Sequence, residues 1–203
     1  MLRAGLTGSI AVGKSFVSSV LAGLGCHVLD ADLTAREMVA PGSAGLRAIA
    51  DAFGLEVLRP DGALDRAKLG AIVFSDEMQR ARLNSILHPL IFEAQDAWLR
   101  RCEEQDPHGV AVVDAALMIE SGGYQRFEKL IVVHCRPELQ LERLVKRDGM
   151  TAEEAVRRIA AQMPQEKKKK FADYLIDTSG GFDETREQTG VVYEHLKELV
   201  AGK

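Results

Sequence analysis

Residues near the amino end have the types and spacing of a phosphate-binding loop. Gly8 is separated by four residues from the string Gly13-Lys14-Ser15. The glycines let main-chain N–H groups approach a phosphate closely, and the lysine ammonium can reach the β- and γ-phosphates of a nucleotide. The serine hydroxyl is a ligand for Mg²⁺. The pattern therefore predicts that the chain binds ATP together with Mg²⁺.

The segments on either side of this loop favour the same interpretation. Leu2, Ala4 and Leu6 suit a short β-strand, and apolar residues recur at helical spacing after Lys14. A helix that begins at the loop adds partial positive charge at its N-terminus, whereas a glycine-rich turn in another context would bind nothing. The residues expected to contact ATP here are Gly8, Ser9, Ile10, Ala11, Val12, Gly13, Lys14, Ser15 and Phe16.

Composition narrows the class of protein. The chain has 203 residues, 46% hydrophobic and 28% charged, which predicts a globular protein with a sizeable core. Its net charge of −4 favours a small anionic ligand and argues against a nucleic-acid partner. Three well-separated cysteines indicate reduced thiols in the cytoplasm. No apolar stretch approaches the about 18 residues of a membrane span, and the sequence alone does not set an oligomeric state.

Four further apolar runs predict buried strands. Each run is short, aliphatic and bounded by Gly, Asp or charged residues. Continuous rather than alternating hydrophobicity indicates cover on both faces, as in a parallel sheet. Because helical patterns separate the runs, the predicted fold is α/β, a doubly wound five-stranded parallel sheet. The runs are residues 26–29, 110–113, 130–133 and 174–176.

Two stretches are longer than strand connections require, so residues 1–203 are predicted as one domain with two helical excursions. Residues 33–107 are predicted to form an inserted helical domain for the second substrate, broken by a turn at Pro60-Asp61-Gly62. Residues 137–171 are predicted to form a helical lid over the phosphate site. For the lysine run at 167–170, a solvated face is the favoured interpretation.

Carboxylates follow two of the predicted strands, at the sheet edge where ligands bind. Asp32 can accept a proton from a substrate hydroxyl that attacks the γ-phosphate, or it can orient Mg²⁺ through water. Asp30 can instead cap the next helix. Asp114 ends the third strand, a common position for a Mg²⁺ ligand, with a helix cap as the alternative.

The helical excursions carry further candidates. Arg143 and Arg147 lie four residues apart on one helical face. Their guanidinium groups can stabilise a transferring phosphoryl group, or they can pair with neighbouring carboxylates at the surface. His88-Pro89 joins two helical patterns, with Pro89 suited to the first turn of the second helix. On residue type alone, His88 favours a structural hydrogen bond.

Taken together, these strings resemble the dephospho-coenzyme A kinase family over nearly the whole chain. The phosphate loop is shared with many families. More specific strings are Asp30-Ala31-Asp32, Leu87-His88-Pro89 and Arg158-Ile159-x-x-Gln162. The resemblance implies a P-loop NTPase kinase-like core with a CoA-binding helical domain and a lid. The implied reaction is phosphorylation of the ribose 3′-hydroxyl of dephospho-CoA by ATP, the last step of coenzyme A synthesis.

The resemblance also implies residue roles. It points to Asp32 as the base, and to Lys14 and Arg147 near the phosphates. Thr178 and Gly180 are expected near adenine. The metal ligands are expected to be Ser15 and Asp114. The residues expected to bind dephospho-CoA are Asp32, Arg36, His88, Leu117, Glu120 and Arg143.

The chain departs from the usual family pattern at several positions. The loop reads Ser9-Ile10-Ala11-Val12 where Gly-Ile-Gly-Ser is usual, so that Ala11 replaces a flexible glycine. Phe16 stands at a common Thr position, Ala116 at a usual Pro and Thr178 at a usual Asn. These changes bear on nucleotide affinity rather than on the class of reaction.

Two other function classes fit the loop. One is a kinase with another acceptor, such as a nucleoside, a nucleoside monophosphate or a small alcohol. The His-Pro string and the string Asp61-Gly62-Ala63-Leu64-Asp65-Arg66 favour the CoA-type insertion instead. The other class is a nucleotide switch without catalysis. The sequence has no Asn-Lys-x-Asp string, and its switch-like string at 177–180 follows the last predicted strand.

Overall fold

Five parallel strands form a single sheet. The computed structural model describes residues 1–202, with Ser75 described by its backbone alone. The strands, β1 to β5 in chain order, are Leu2–Gly8, His27–Asp30, Val110–Asp114, Lys129–His134 and Tyr174–Asp177. Their order in the sheet is β2-β3-β1-β4-β5. Every predicted apolar run overlaps one of these strands, and the predicted α/β class is confirmed.

The order of the strands opens a crevice at the carboxyl end of β1. From β1 the chain passes outward to β2, returns to β3, and then crosses to β4 and β5 on the other side. Ligands bind beyond the carboxyl ends of parallel strands where connections diverge in this way. Asp114, the last residue of β3, is in register with Leu6 of β1 and with Asp30 of β2.

The described residues form nine α-helices. They are α1 to α9 in chain order, Lys14–Gly23, Ala31–Glu37, Ala44–Phe53, Arg66–Ser75, Glu77–Gln105, Pro137–Asp148, Ala152–Ala160, Gln165–Lys169 and Phe182–Ala201. Val17 and Leu21 of α1 and Leu196 of α9 are fully buried in the cluster that includes Leu6 and Ile131 of the sheet. These helices cover one face of the sheet, and Met118 and Phe127 lie against Gly5 on the other face. Cover on both faces explains the continuous hydrophobic strands. No described helix combines the length and the apolarity that a membrane span needs.

Two compact units divide the chain. The first contains Met1–Asp30 and the chain from Leu99 onward, and the second is Ala31–Trp98. The second unit has its own core, in which Ile49 and Val57 are fully buried. The turn predicted at Pro60-Asp61-Gly62 is confirmed, since the N–H of Arg59 donates to the carbonyl of Ala63 at 2.8 Å.

The prediction of two helices joined at His88-Pro89 is wrong, because Pro89 lies inside the continuous helix α5. An internal proline removes one helical hydrogen bond and costs about 3 kcal/mol. Packing on both sides offsets this cost. Leu87 packs against the core of the second unit, and Leu90 lies against Gly45 of α3.

Candidate active site

The phosphate loop joins β1 directly to α1. Gly13 has φ +89°, in the left-handed region, and a Cβ there would lie 3.2 Å from the hydroxyl of Thr178. A Cβ on Gly8 would lie 2.6 Å from the carbonyl oxygen of Val133. Both glycines are therefore required for steric reasons, and α1 begins immediately after Gly13 with its N-terminus toward the loop.

Ala11 has a left-handed backbone conformation, with φ +61°. Among the described residues it is the non-glycine residue with positive φ. An alanine in this region costs roughly 1–2 kcal/mol relative to its preferred conformations. The loop thus keeps the shape that a glycine would adopt, at the expense of strain at one residue.

We expect Ala11→Gly to raise the free energy of unfolding by about 0.5–1 kcal/mol, because relief of strain exceeds the extra entropy of the unfolded chain. Thermal and urea unfolding measure this change. Ala22→Gly, at an exposed position inside α1, is the matched control, and it should lower stability by about 1 kcal/mol. A loss of stability in both variants would contradict the assignment of strain to Ala11.

A buried ion pair links the loop to the neighbouring strand. The ammonium of Lys14 donates to Oδ1 of Asp114, whose side chain is 6% exposed. Burial raises the pKa of Asp114, and the charge of Lys14 opposes that rise. The pair places an ammonium and a carboxylate at the carboxyl ends of β1 and β3.

Two residues can supply oxygen ligands to Mg²⁺. Ser15, the second residue of α1, is exposed. The carboxylate of Asp114 pairs with Lys14, the residue that precedes Ser15. Mg²⁺ in nucleotide sites uses one or two protein ligands and completes its shell with phosphates and water. Among residues 1–202 no cluster of three or more acidic, His or Cys side chains is placed to hold a metal ion.

A cavity of about 160 Å³ lies beside the end of the phosphate loop. Arg143 of α6 donates to the hydroxyl of Thr178 at 2.8 Å and to its carbonyl at 2.9 Å. The hydroxyl of Thr178 donates in turn to the carbonyl of Val12 at 2.7 Å. Thr178 therefore connects the segment after β5 to the loop. The lining residues are Gly13, Phe16, Arg143, Thr178, Gly181, Phe182 and Thr185.

Residues predicted to contact ATP lie in or next to the wall of this cavity. The rings of Phe16 and Phe182 lie 4.8 Å apart, in a tilted arrangement. Gly180, which was predicted near adenine, is exposed next to this wall, whereas Gly181 lines the cavity itself. Phe182 follows the last strand and was not among the predicted residues. The sequence around Phe182, at the start of α9, does not indicate that its ring would contact Phe16.

The predicted lid segment holds the tip of the phosphate loop. The side-chain oxygen of Gln162 accepts the N–H of Ile10 at 2.7 Å. Gln140 of α6 donates to the carbonyl of Ile10 at 2.7 Å, and Gln165 of α8 donates to Gln140 at 2.7 Å. Gln140 is 2% exposed, and sequence reasoning missed it because a polar residue in a charged helix carries no sign of burial.

Arg147 and Lys168, two charged residues of the predicted lid segment, differ in exposure to solvent. Arg147 pairs with Asp148 at 2.7 Å and its side chain is 57% exposed, the surface pairing that the sequence left as one alternative. The favoured interpretation of the lysine run as solvated is wrong for Lys168, which has no exposed surface. Its ammonium contacts Glu120 at 2.9 Å and the carbonyl of Ala116 at 2.7 Å. Helical spacing points this one lysine inward, while Lys167 and Lys170 are exposed.

The loop after β3 carries two more predicted residues. Leu117 is 52% exposed. The carboxylate of Glu120 accepts the N–H of Met163 at 3.1 Å as well as pairing with Lys168. Glu120 is thus engaged with the predicted lid, and its predicted role in binding dephospho-CoA stays a prediction.

Three predicted residues lie in the second unit. Asp32 and Arg36 are on α2, and both are exposed. His88 is half-buried in α5, with its ring 5.5 Å from the ring of Phe92. Asp32 follows Asp30, the end of β2, after a single intervening residue.

Comparison with known proteins shows close relatives. The family profile described as dephospho-CoA kinase matches residues 2–184. A dephospho-CoA kinase of Streptomyces avermitilis is 44% identical over 196 residues, which are 97% of this chain and 94% of that protein. A dephospho-CoA kinase of Geobacter metallireducens is 44% identical over 194 residues, which are 96% of each chain.

Solved structures agree with the sequence relatives. A protein from Thermus thermophilus has a TM-score of 0.83 at 29% identity, covering 95% of this chain and 97% of that one. A dephospho-CoA kinase from Campylobacter jejuni has a TM-score of 0.70 at 28% identity, covering 97% of each chain. On the match to the profile and the identity over nearly the full length, the chain belongs to the dephospho-CoA kinase family.

Proposed function

We propose that this protein transfers the γ-phosphoryl group of ATP to the ribose 3′-hydroxyl of dephospho-CoA, giving coenzyme A and ADP. The reaction is the last step of coenzyme A synthesis. The observation that carries the proposal is the phosphate loop at the end of β1, with Lys14 paired to Asp114 in the crevice of the sheet. Family membership names the acceptor.

The loop would hold the triphosphate by its main-chain amides. N–H groups that turn inward between Gly8 and Ser15, together with the N-terminus of α1, form an anion site. The ammonium of Lys14 would exchange its contact with Asp114 for the phosphates. Ser15 and Asp114 would hold Mg²⁺, which neutralises charge on the phosphates when it is bound.

Asp32 is the proposed general base. The attacking 3′-hydroxyl must lose a proton, and a carboxylate can accept it at the moment of attack. Asp32 has an exposed side chain and follows the last residue of β2 after one intervening residue. Arg36 on the same helix and His88 on α5 are proposed to bind dephospho-CoA, with Leu117 and Glu120 as further candidates.

The cavity beside Thr178 is proposed to receive the adenine of ATP. Its wall offers the ring of Phe16 and the guanidinium of Arg143, groups that stack on flat aromatic ligands. Arg143 would therefore act on the nucleotide side rather than on the acceptor. Arg147 is proposed to leave Asp148 and approach the phosphates when the lid closes.

We expect Arg143→Ala to raise the Kd for ATP by about 10–100-fold, because two hydrogen bonds from a charged donor to Thr178 are lost. Fluorescent-nucleotide titration measures the change. The matched control is Arg157→Ala on α7, which removes an exposed arginine. An unchanged Kd in the Arg143 variant would contradict the position proposed for adenine.

A panel of acceptors tests the proposed function. The protein is incubated with ATP, Mg²⁺ and one acceptor at a time, namely dephospho-CoA, adenosine, AMP or shikimate, and ADP formation is followed. We expect turnover with dephospho-CoA alone. Turnover with another acceptor and none with dephospho-CoA would overturn the proposal.

The three cysteines are free and buried, which fits work in a reducing compartment such as the cytoplasm.

A further inference from the structure

Lys168 is a buried lysine whose ammonium has its partners within the protein. Its side chain is fully covered, and the ammonium donates to the carbonyl of Ala116 at 2.7 Å. It also lies 2.9 Å from one oxygen of Glu120 and 3.1 Å from the other. A buried ammonium without such acceptors would be strongly unfavourable. Burial lowers the pKa of Lys168, whereas Glu120 raises it.

Two chains of hydrogen bonds lead from Lys168 to the phosphate loop. In the first, the carbonyl of Ala116 also accepts the hydroxyl of Thr7 at 3.2 Å. In the second, Glu120 accepts the N–H of Met163 at 3.1 Å, and the carbonyl of Met163 accepts the hydroxyl of Ser9 at 3.3 Å. The two chains end on either side of Gly8, the first glycine of the loop.

The next residue of the loop depends on the same segment. The N–H of Ile10 donates to the side chain of Gln162, which immediately precedes Met163. A shift of residues 162–163 would therefore move partners of both Ser9 and Ile10. Preorganised N–H groups lose much of their effect on a transferring group when they are displaced by about 1 Å.

We propose that Lys168 is a positioning residue that fixes the first half of the phosphate loop through Ala116 and through Glu120 and Met163. It touches neither substrate and acts on the geometry of Ser9 and Ile10. Its charge is needed because it holds two kinds of acceptor at once, a carbonyl and a carboxylate. The proposal rests on the proposed function for its kinetic readout, but not for its structural one.

Lys168→Met keeps most of the volume of the side chain and removes the ammonium. We expect kcat with saturating ATP and dephospho-CoA to fall by about 10–100-fold, by analogy with the loss of a residue that orients a metal ligand. The KM for dephospho-CoA should stay within about twofold, because Arg36 and His88, which are proposed to bind the acceptor, are unchanged. Lys167→Met is the matched control, since this lysine is exposed in the same run, and its kcat should be unchanged.

A double-mutant cycle separates this role from a merely structural one. Glu120→Ala alone should also lower kcat, and Lys168→Met in that background should add less than its full effect. Losses that multiply fully, or a kcat of the Lys168→Met variant within about twofold of the parent protein below the melting temperature, would overturn the proposal. A raised KM for dephospho-CoA in Glu120→Ala with kcat unchanged would assign Glu120 to the acceptor and would overturn the proposal.

Hydrogen exchange needs no acceptor substrate. Because it is measured on another variant, it also tests the proposal if Lys168→Met fails to fold. In Glu120→Ala, where Lys168 remains, the amide of Ile10 should exchange at least about tenfold faster than in the parent protein. Unchanged protection of Ile10 would overturn the proposal. Absence of turnover in the parent protein would count against the proposed function alone, because the exchange rates would still test the connection from the Lys168–Glu120 pair to Ile10.

Discussion

Asp32→Asn should lower kcat for phosphorylation of dephospho-CoA by about 10²–10⁴-fold, the usual contribution of a general base. Asparagine has nearly the same shape but cannot accept the proton of the 3′-hydroxyl. The Kd for ATP should remain within about twofold, because the phosphate loop and not the base holds the nucleotide. Steady-state kinetics and nucleotide titration measure the two quantities on the same preparation.

Asp30→Asn is the matched control for this experiment. Asp30 ends β2 and lies in register with Asp114, two residues from Asp32. The same change of charge at this position should lower kcat by less than about tenfold, because it removes no proton acceptor. Equal loss of ATP binding and of kcat in Asp32→Asn would indicate that Asp32 orients the metal rather than accepting the proton.

Lys14→Met should weaken ATP binding and phosphoryl transfer together. The ammonium contacts the phosphates in both the bound state and the transition state, so kcat/KM for ATP should fall by about 10³-fold or more. The variant also leaves Asp114 buried without its cationic partner, and burial raises the pKa of Asp114. A protonated Asp114 is a poor ligand for Mg²⁺, which adds to the loss.

Lys146→Met, an exposed lysine on α6, provides the control for Lys14→Met and should leave the Kd for ATP unchanged. Thermal melting of both variants shows whether the fold survives. Near-normal kcat/KM in a folded Lys14→Met protein would contradict the assignment of the phosphate loop. Restored binding in Lys14→Arg would show that charge alone, without the shape of lysine, is sufficient.

The sheet could be predicted from the sequence because its strands are short, continuous apolar runs. Residues 110–113 and 130–133 are buried on both faces, and burial of this kind leaves a direct mark on composition. The phosphate loop was equally accessible, since its glycines and lysine are needed for local steric and electrostatic reasons. Local rules therefore sufficed for the sheet and for the loop beside it.

Features that depend on tertiary packing could not be predicted in this way. Pro89 marks a helix end by local rules, yet Leu87 and Leu90 hold the helix together on either side of it. Lys168 belongs to a run that resembles a solvated surface, and only the position of α8 against the loop after β3 buries it. Gln140 is concealed for the same reason, because its partner Ile10 lies 130 residues away.

Transfer of labelled phosphate tests the central claim most directly. The protein is incubated with ATP labelled in the γ-phosphoryl group, Mg²⁺ and dephospho-CoA, and the products are separated and treated with a 3′-nucleotidase. We expect label in coenzyme A in an amount equal to the ADP formed, and its release by the nucleotidase. Label found only as inorganic phosphate, or retained after that treatment, would contradict transfer to the 3′-hydroxyl.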